Sequence, residues 1–333
     1  MKAPSGEPFV EVTRGDLVES VHNVAACASD AKGVVHLQLG DIDTPIFLRS
    51  AAKPFIAAAA IAAGVREAFE LSMEEIAVMA ASHSGEPFHV DAVRSILQKA
   101  GVDEAALQCG THYPYNEGAA NTLRADGVSP SSLHNNCSGK HAGILALCKL
   151  MGADMRTYLD VDHPAQRAIL AFCARMSDDD PSQWSIGVDG CGIPVYATSL
   201  RKGSLAFARF ASLEGLESRD AMALLVVRDA MVSHPEYVGG TRTLDSDLMR
   251  VAGGSIAAKA GAEGVHGVAA IPQGLGFVSK VIDGSSRARG PSTIALLARL
   301  GVLDAERVAK LDEYARQVVY NRAGRVAGEV RAR

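Results

Sequence analysis

The stretch RSAAKPFIAAAAIAAG at residues 49–64 reads as an apolar helix that opens near Ser50 and stops at Gly64, a residue suited to the turn after a helix. Its first turn carries an S-x-x-K pair, Ser50 and Lys53. Positions i and i+3 share a helical face, so the lysine amine can reach the serine hydroxyl. A serine hydroxyl is a weak nucleophile until a base removes its proton. A lysine serves as that base only when burial or a nearby cation lowers its pKa. Backbone amides at a helix N-terminus can also hold developing negative charge. A plainer reading of the same residues makes Ser50 an N-cap and Lys53 a solvated side chain of the first turn.

Two later segments extend the pair. Ser82-His83-Ser84 follows an apolar helical run, and Lys259-Ala260-Gly261 comes shortly before the C-terminal strands. Penicillin-binding proteins and serine β-lactamases carry S-x-x-K, S-D-N and K-T-G in that chain order. Here the order is S-x-x-K, S-H-S and K-A-G, an analogy with degenerate second and third members. It points to a second serine–lysine pair, Ser82 with Lys259. The alternatives are a helix-terminal turn residue for Ser82 and a surface cation for Lys259.

Outward from these segments, VHNVAACASD and GVVHLQLG alternate around Asp30-Ala31-Lys32-Gly33 and read as a hairpin. From residue 74 to about 250 the pattern is mostly helical, with Gly-, Ser-, Asn- and Pro-rich loops at 109–137 and 186–194. Strands return after 252, where GVHGVAAIP and LGFVSKVID flank Gln273-Gly274, and helical segments cover 291–320. The expected fold is α/β of the α+β type, and the motif order supplies the analogy of a serine β-lactamase-like fold. A central antiparallel sheet from the N- and C-terminal strands is flanked by helices, with a mainly helical middle lobe. The sheet lobe is expected at about 1–65 and 252–333, and the helical lobe at about 66–251, as one two-lobed catalytic domain.

The 333 residues are 48% hydrophobic and 21% charged, the profile of a globular protein. Aromatics make up only 5%, so small side chains and close backbone contacts must fill much of the core. A net charge of −5 offers no nucleic-acid footprint. The one concentrated basic segment, 322–333, reads as a solvated tail. No apolar run approaches the roughly 18 residues of a membrane span. MKAPSGEPFV lacks a signal-peptide core, so a cytoplasmic protein with reduced cysteines is expected.

Two of the six cysteines have polar flanks: Cys137 in NNCSGKH at 135–141 and Cys191 in GVDGCGIP at 187–194. Two thiolates on separate loops could bind zinc, with Lys140 or His141 as a third ligand and water as a fourth. A tight helix-entry turn is the plainer alternative. A third reading makes Cys137 a nucleophile and His141 its base. Cys27, Cys109, Cys148 and Cys173 read as buried small hydrophobes.

At this point SAAKP at 50–54, ASHS at 81–84, CSGKH at 137–141 and DGCGIP at 189–194 resemble the signature segments of the Rhizobium etli-type, or class 3, L-asparaginases. LGFVSKVIDG at 275–284 is similar to that family's late strand, although Gly192 stands where asparagine was expected. The resemblance implies an L-asparaginase that hydrolyses L-asparagine to aspartate and ammonia. Ser50 would be the acylated nucleophile, Lys53 its base, and Ser82 and Lys259 the second pair. Cys137, Lys140 and Cys191 would hold one zinc ion, and Arg49, His83, Cys137, Asp189 and Gly190 would surround the substrate. A homodimer is implied, with no nucleic-acid or membrane partner. Two alternatives remain open: a glutaminase or β-lactamase-like serine amidohydrolase, and a non-catalytic zinc-dependent binding protein.

Overall fold

In the computed structural model, which describes residues 3–333, the chain begins with strands β1 (Glu7–Arg14), β2 (Leu17–Asp30), β3 (Val35–Leu39) and β4 (Ile46–Phe47). Helices α1 (Lys53–Ala62), α2 (Val65–Phe69), α3 (Met73–Met79), α4 (Pro87–Ala100), α5 (Glu117–Ala125), α6 (Ser138–Met151) and α7 (Pro164–Ser177) follow. A short hairpin, β5 (Ile186–Val188) and β6 (Pro194–Thr198), precedes α8 (Leu200–Ser212), α9 (Ser218–Ser233), α10 (Pro235–Val238) and α11 (Leu244–Ala252). The chain then forms β7 (Ile256–Ala260), β8 (Val265–Ala270) and β9 (Leu275–Val281). It closes with α12 (Arg289–Arg299), α13 (Ala305–Lys310), α14 (Asp312–Ala315), β10 (Arg316–Tyr320) and β11 (Val326–Ala332).

Two units emerge: residues 1–51, 198–212 and 247–333 form one, and 52–197 with 213–246 the other. The first is built on an antiparallel sheet in the order β10-β11-β1-β2-β9-β8-β7, with β3 also pairing β2. Strand β2 is long enough to serve two neighbours on one side. Its first half pairs β1 and its second half pairs β3, while β9 runs along its other side. Terminal strands in one antiparallel sheet with helices on the intervening chain are the α/β arrangement expected.

Helix α8 covers β8 and β9 at very short range. A Cβ at Gly276 would stand 2.0 Å from the Ser204 carbonyl oxygen, and one at Gly267 would stand 2.1 Å from the Phe207 ring. The glycines are what let this helix lie on the sheet. The alanine- and glycine-rich composition therefore does build a core of close backbone contacts.

The second unit is mainly helical. Helix α1 is buried along Lys53–Ile61 and packs against α7 and α9. It ends by residue 63, and Gly64 adopts φ +100, the left-handed conformation its position demands. The 186–194 segment, expected to be loop, is partly the antiparallel β5–β6 hairpin, with Val188 opposite Pro194.

The C-terminal tail requires a correction. Residues 326–332 form β11, a strand held between β10 and β1, not a solvated tail. Alternation was the overlooked signal: Val330 is buried, whereas Arg331 engages Glu11 and Glu329. Arginine excess masked a period-2 pattern. Segment 316–320, expected to be helical, is likewise strand β10, which pairs β11. Among the described residues, no helix is long and apolar enough to cross a membrane.

Candidate active site

Helix α3 starts at a complete capping box. The Ser72 hydroxyl accepts from the Glu75 N–H, and the Ser72 N–H donates to the Glu75 carboxylate at 2.6 Å. Its end brings the chain into the extended segment Ala81–Ser84. Helix α6 starts immediately beside that end, because a Cβ on Gly139 would meet the Val78 carbonyl oxygen at 2.1 Å. Only glycine permits this approach, and it sets Ser82 and Cys137 on one side of α1.

Lys53, the first residue of α1, points into that corner and is 1% exposed. Its ammonium donates to the Ala81 carbonyl at 2.6 Å, the Ser82 hydroxyl at 3.0 Å and the Cys137 sulfur at 3.2 Å. Three acceptors match the three N–H bonds of a protonated amine. In the neutral amine one of these contacts must reverse. A carbonyl cannot donate, so the proton would come from Ser82 Oγ or Cys137 Sγ. Burial lowers the Lys53 pKa and the nearby Lys140 charge lowers it further, against the opposing pull of Cys137 and Cys191.

Lys140, on the first turn of α6, donates to Cys191 Sγ at 3.0 Å and is 3% exposed. Burial opposes its charge, but Cys137, Cys191 and Asp189 outweigh this and raise its pKa. Cys137 ionises well below the usual thiol range. A hydrogen bond from Cys191 is the main cause, followed by the Lys53 and Lys140 charges. The Cys191 pKa is raised, because its proton is the one shared and it is buried. Two thiols thus sit between two buried ammonium groups. Asn135, which the sequence reading left without a role, fixes the turn: its Oδ1 accepts the Cys137 N–H at 2.8 Å, and its Nδ2 donates to the Cys109 carbonyl. A polar side chain two residues ahead of a helix-opening cysteine was the available signal.

His83 is fully buried. Its Nδ1 accepts the Gly85 N–H at 3.2 Å, and its Nε2 faces the Ser138 hydroxyl at 2.9 Å, which donates to the Leu133 carbonyl. These bonds tie the Ser82 segment to the start of α6. Both ring nitrogens of His83, a residue expected to surround the substrate, are already engaged within the protein. His141 turns to the Tyr158 hydroxyl at 2.6 Å. The Tyr158 hydroxyl also accepts the Gln108 N–H at 2.9 Å. His141 Nδ1 thus faces tyrosine, which disfavours the reading of His141 as a base for Cys137. Asp189 and Gly190 lie on the β5–β6 turn. The Asp189 carboxylate accepts the Gly190 N–H at 2.8 Å, and its backbone N–H donates to the Ile193 carbonyl.

The sheet unit contains Ser50, Arg49 and Lys259. Ser50 lies half-buried in a 3-10 turn, Arg49–Ala52, that leads into α1. The helix proper starts at Lys53, not near Ser50. Arg49 adopts φ +53, an uncommon conformation for a residue with a Cβ. Lys259, on β7, is 1% exposed and donates to the Ala260 carbonyl at 2.7 Å, so it is no surface cation. Gly261 explains the third residue of K-A-G. A Cβ there would meet the Leu48 carbonyl oxygen at 2.6 Å and the Ala51 nitrogen at 3.2 Å. The end of β7 thus packs directly on the backbone around Ser50.

Among the described residues, no group of three or more His, Cys, Asp and Glu side chains is placed to hold a metal ion. The zinc set read from the sequence is of another kind, two thiols and an amine. Cys137, Cys191 and Lys140 do converge in one buried cluster, and soft thiolate with nitrogen is a donor set that suits zinc. All six cysteines are free and buried.

This chain carries its serine and lysine elements on a sheet unit built from the terminal strands and on a mainly helical unit. It belongs to the L-asparaginase II family, whose profile matches residues 10–332. That is a family of amidohydrolases acting on small molecules. No curated protein gives a significant match. Among solved structures, the chain is similar to Mglu in its native form in the presence of 4.3 M NaCl, at 16% identity and a TM-score of 0.39. That match covers 86% of this chain and 63% of Mglu. Mglu in its tris and glutamate form gives 15% identity, 90% and 64% coverage, and a TM-score of 0.38. The chain therefore spans less than two thirds of the length of these proteins. A likeness this remote bears on neither its substrate nor its mechanism.

Proposed function

We propose that this protein is an L-asparaginase that works through an acyl-enzyme on Ser50. The observation that carries the reading is Lys53: a fully buried amine with a lowered pKa, three residues beyond Ser50 and hydrogen-bonded to a second serine. Membership of the L-asparaginase II family supports the substrate class.

In this reading Ser50 attacks the side-chain amide carbon of asparagine and Lys53 takes its proton. Backbone amides hold the oxyanion. The lysine–serine network, in which Ser82 and Lys259 are the further members, protonates the departing ammonia. Water then hydrolyses the β-aspartyl ester to aspartate and frees Ser50. Two neighbouring ammonium groups repel, which favours the loss of a proton from Lys53. Arg49, Asp189 and Gly190 are the residues assigned to substrate recognition.

Cys137, Lys140 and Cys191 would hold a zinc ion, which when bound would supply a fixed positive charge that positions a polar substrate group. A cytoplasmic homodimer completes the reading.

Ammonia release from asparagine and from glutamine, with nitrocefin hydrolysis in parallel, tests the assignment. A kcat/KM for asparagine at least about tenfold above that for glutamine, with no nitrocefin turnover, is expected. Preference for glutamine or nitrocefin would replace the substrate. Metal and ligand binding with no ammonia produced would leave a binding protein.

A further inference from the structure

Helices α4 and α5 flank an open pocket of about 220 Å³ that the proposed chemistry does not use. Val90, Asp91 and Arg94 come from one face of α4, and Ala119 and Leu123 from one face of α5, as i, i+3, i+4 spacing requires. The lining has two characters. Val90, Ala119 and Leu123 make it aliphatic, whereas Asp91, Arg94 and His134 give it charge and a hydrogen-bond donor.

Arg94 donates to Asp91 at 2.8 Å, with side chains 47% and 72% exposed. An exposed pair of this kind contributes little, so a ligand carrying both charges can replace it. His134 Nδ1 accepts the Ser131 N–H at 3.0 Å, which leaves Nε2–H as the donor of the neutral ring. Burial keeps that ring neutral, and the charge on Arg94 is among the neighbours that reinforce it. A carboxylate therefore suits Arg94 and His134, an ammonium suits Asp91, and an aliphatic side chain suits the remaining wall. Gly85, at φ +76, lines the pocket, and a Cβ there would stand 3.0 Å from Pro114 Cα and 3.1 Å from the His134 carbonyl oxygen. Its N–H bonds His83, so the wall belongs to the segment that carries Ser82.

We propose that this pocket binds a free α-amino acid with a branched aliphatic side chain. The charges of both signs beside an aliphatic wall distinguish such a ligand from a fatty acid or an amine. The proposal stands independently of the asparaginase reading.

Titration of the full chain with L-leucine, followed by calorimetry, tests it. Saturable binding is expected, with 4-methylpentanoate and isoamylamine at least about tenfold weaker because each lacks one charge. Arg94→Gln should weaken leucine by a similar factor, and Ala119→Phe should abolish binding by filling the space. Both variants should keep wild-type circular dichroism and wild-type ammonia release. Absence of saturation by about 10 mM leucine would overturn the proposal. So would unchanged affinity in both variants, or competitive displacement by L-aspartate, which would place leucine in the hydrolytic centre.

Discussion

Lys53 is held by three acceptors and buried among two thiols and a second lysine. Replacing it with methionine keeps the volume and removes the amine. Kcat for asparagine should fall by about 10²–10⁴, the usual contribution of a positioned base. Removing one partner of a buried charged cluster is destabilising, so a lowered melting temperature is expected with the native circular dichroism retained at about 25 °C. Ammonia release and circular dichroism check both halves, and a Lys53→Met protein within about threefold of wild type would remove lysine from the chemistry. At this scale the sequence was informative about residue types but not about partners. S-x-x-K supplied Ser50 and Lys53, and the resemblance supplied Cys137, Lys140 and Cys191. The Lys53–Ser82 bond was not foreseen, because chain order had matched Ser82 with Lys259.

Helix α4 carries His89, whose neutral ring ties two segments together. It accepts the Glu86 N–H at 3.2 Å and faces the Glu236 carbonyl at 2.9 Å. Burial lowers its pKa to about 4, against the opposing pull of the Glu236 carbonyl and the Glu86 charge. The unfolded value is about 6.5. Between those values the unfolded chain binds the proton more readily, so stability is full above about pH 6.5 and falls as the pH drops toward 4. The loss reaches about 3 kcal/mol for this group alone. Urea unfolding across that range should show the slope, and His89→Gln should flatten it; an equal slope in both proteins would place the acid sensitivity elsewhere. His83, stacked on His89 with ring centroids 4.8 Å apart, shifts in the same direction. Periodicity made the long helices and the β2–β3 and β8–β9 hairpins legible. It failed at short elements: β5, β7 and β10 span three to five residues, too few for a period to declare itself.

The sheet includes, between β10 and β1, a strand that the charge pattern concealed. That strand is β11, and its Val330 is 3% exposed. Val330→Asp should therefore cost at least about 2 kcal/mol, since it buries an unpaired charge. A solvated tail would tolerate it, and an unchanged melting temperature would restore that reading. The overall architecture was legible because terminal strands and central helices differ in composition over long spans. The membership of α8 in the sheet unit was not, because it rests on Gly267 and Gly276, whose meaning appears only once a helix lies on them. The proposed acylation of Ser50 is the claim on which these levels meet, and it is open to direct observation. Rapid acid quench after mixing with asparagine, followed by peptide mass spectrometry, should find a β-aspartyl ester on Ser50. An adduct on Cys137, or continued asparagine turnover by a Ser50→Ala protein, would contradict it.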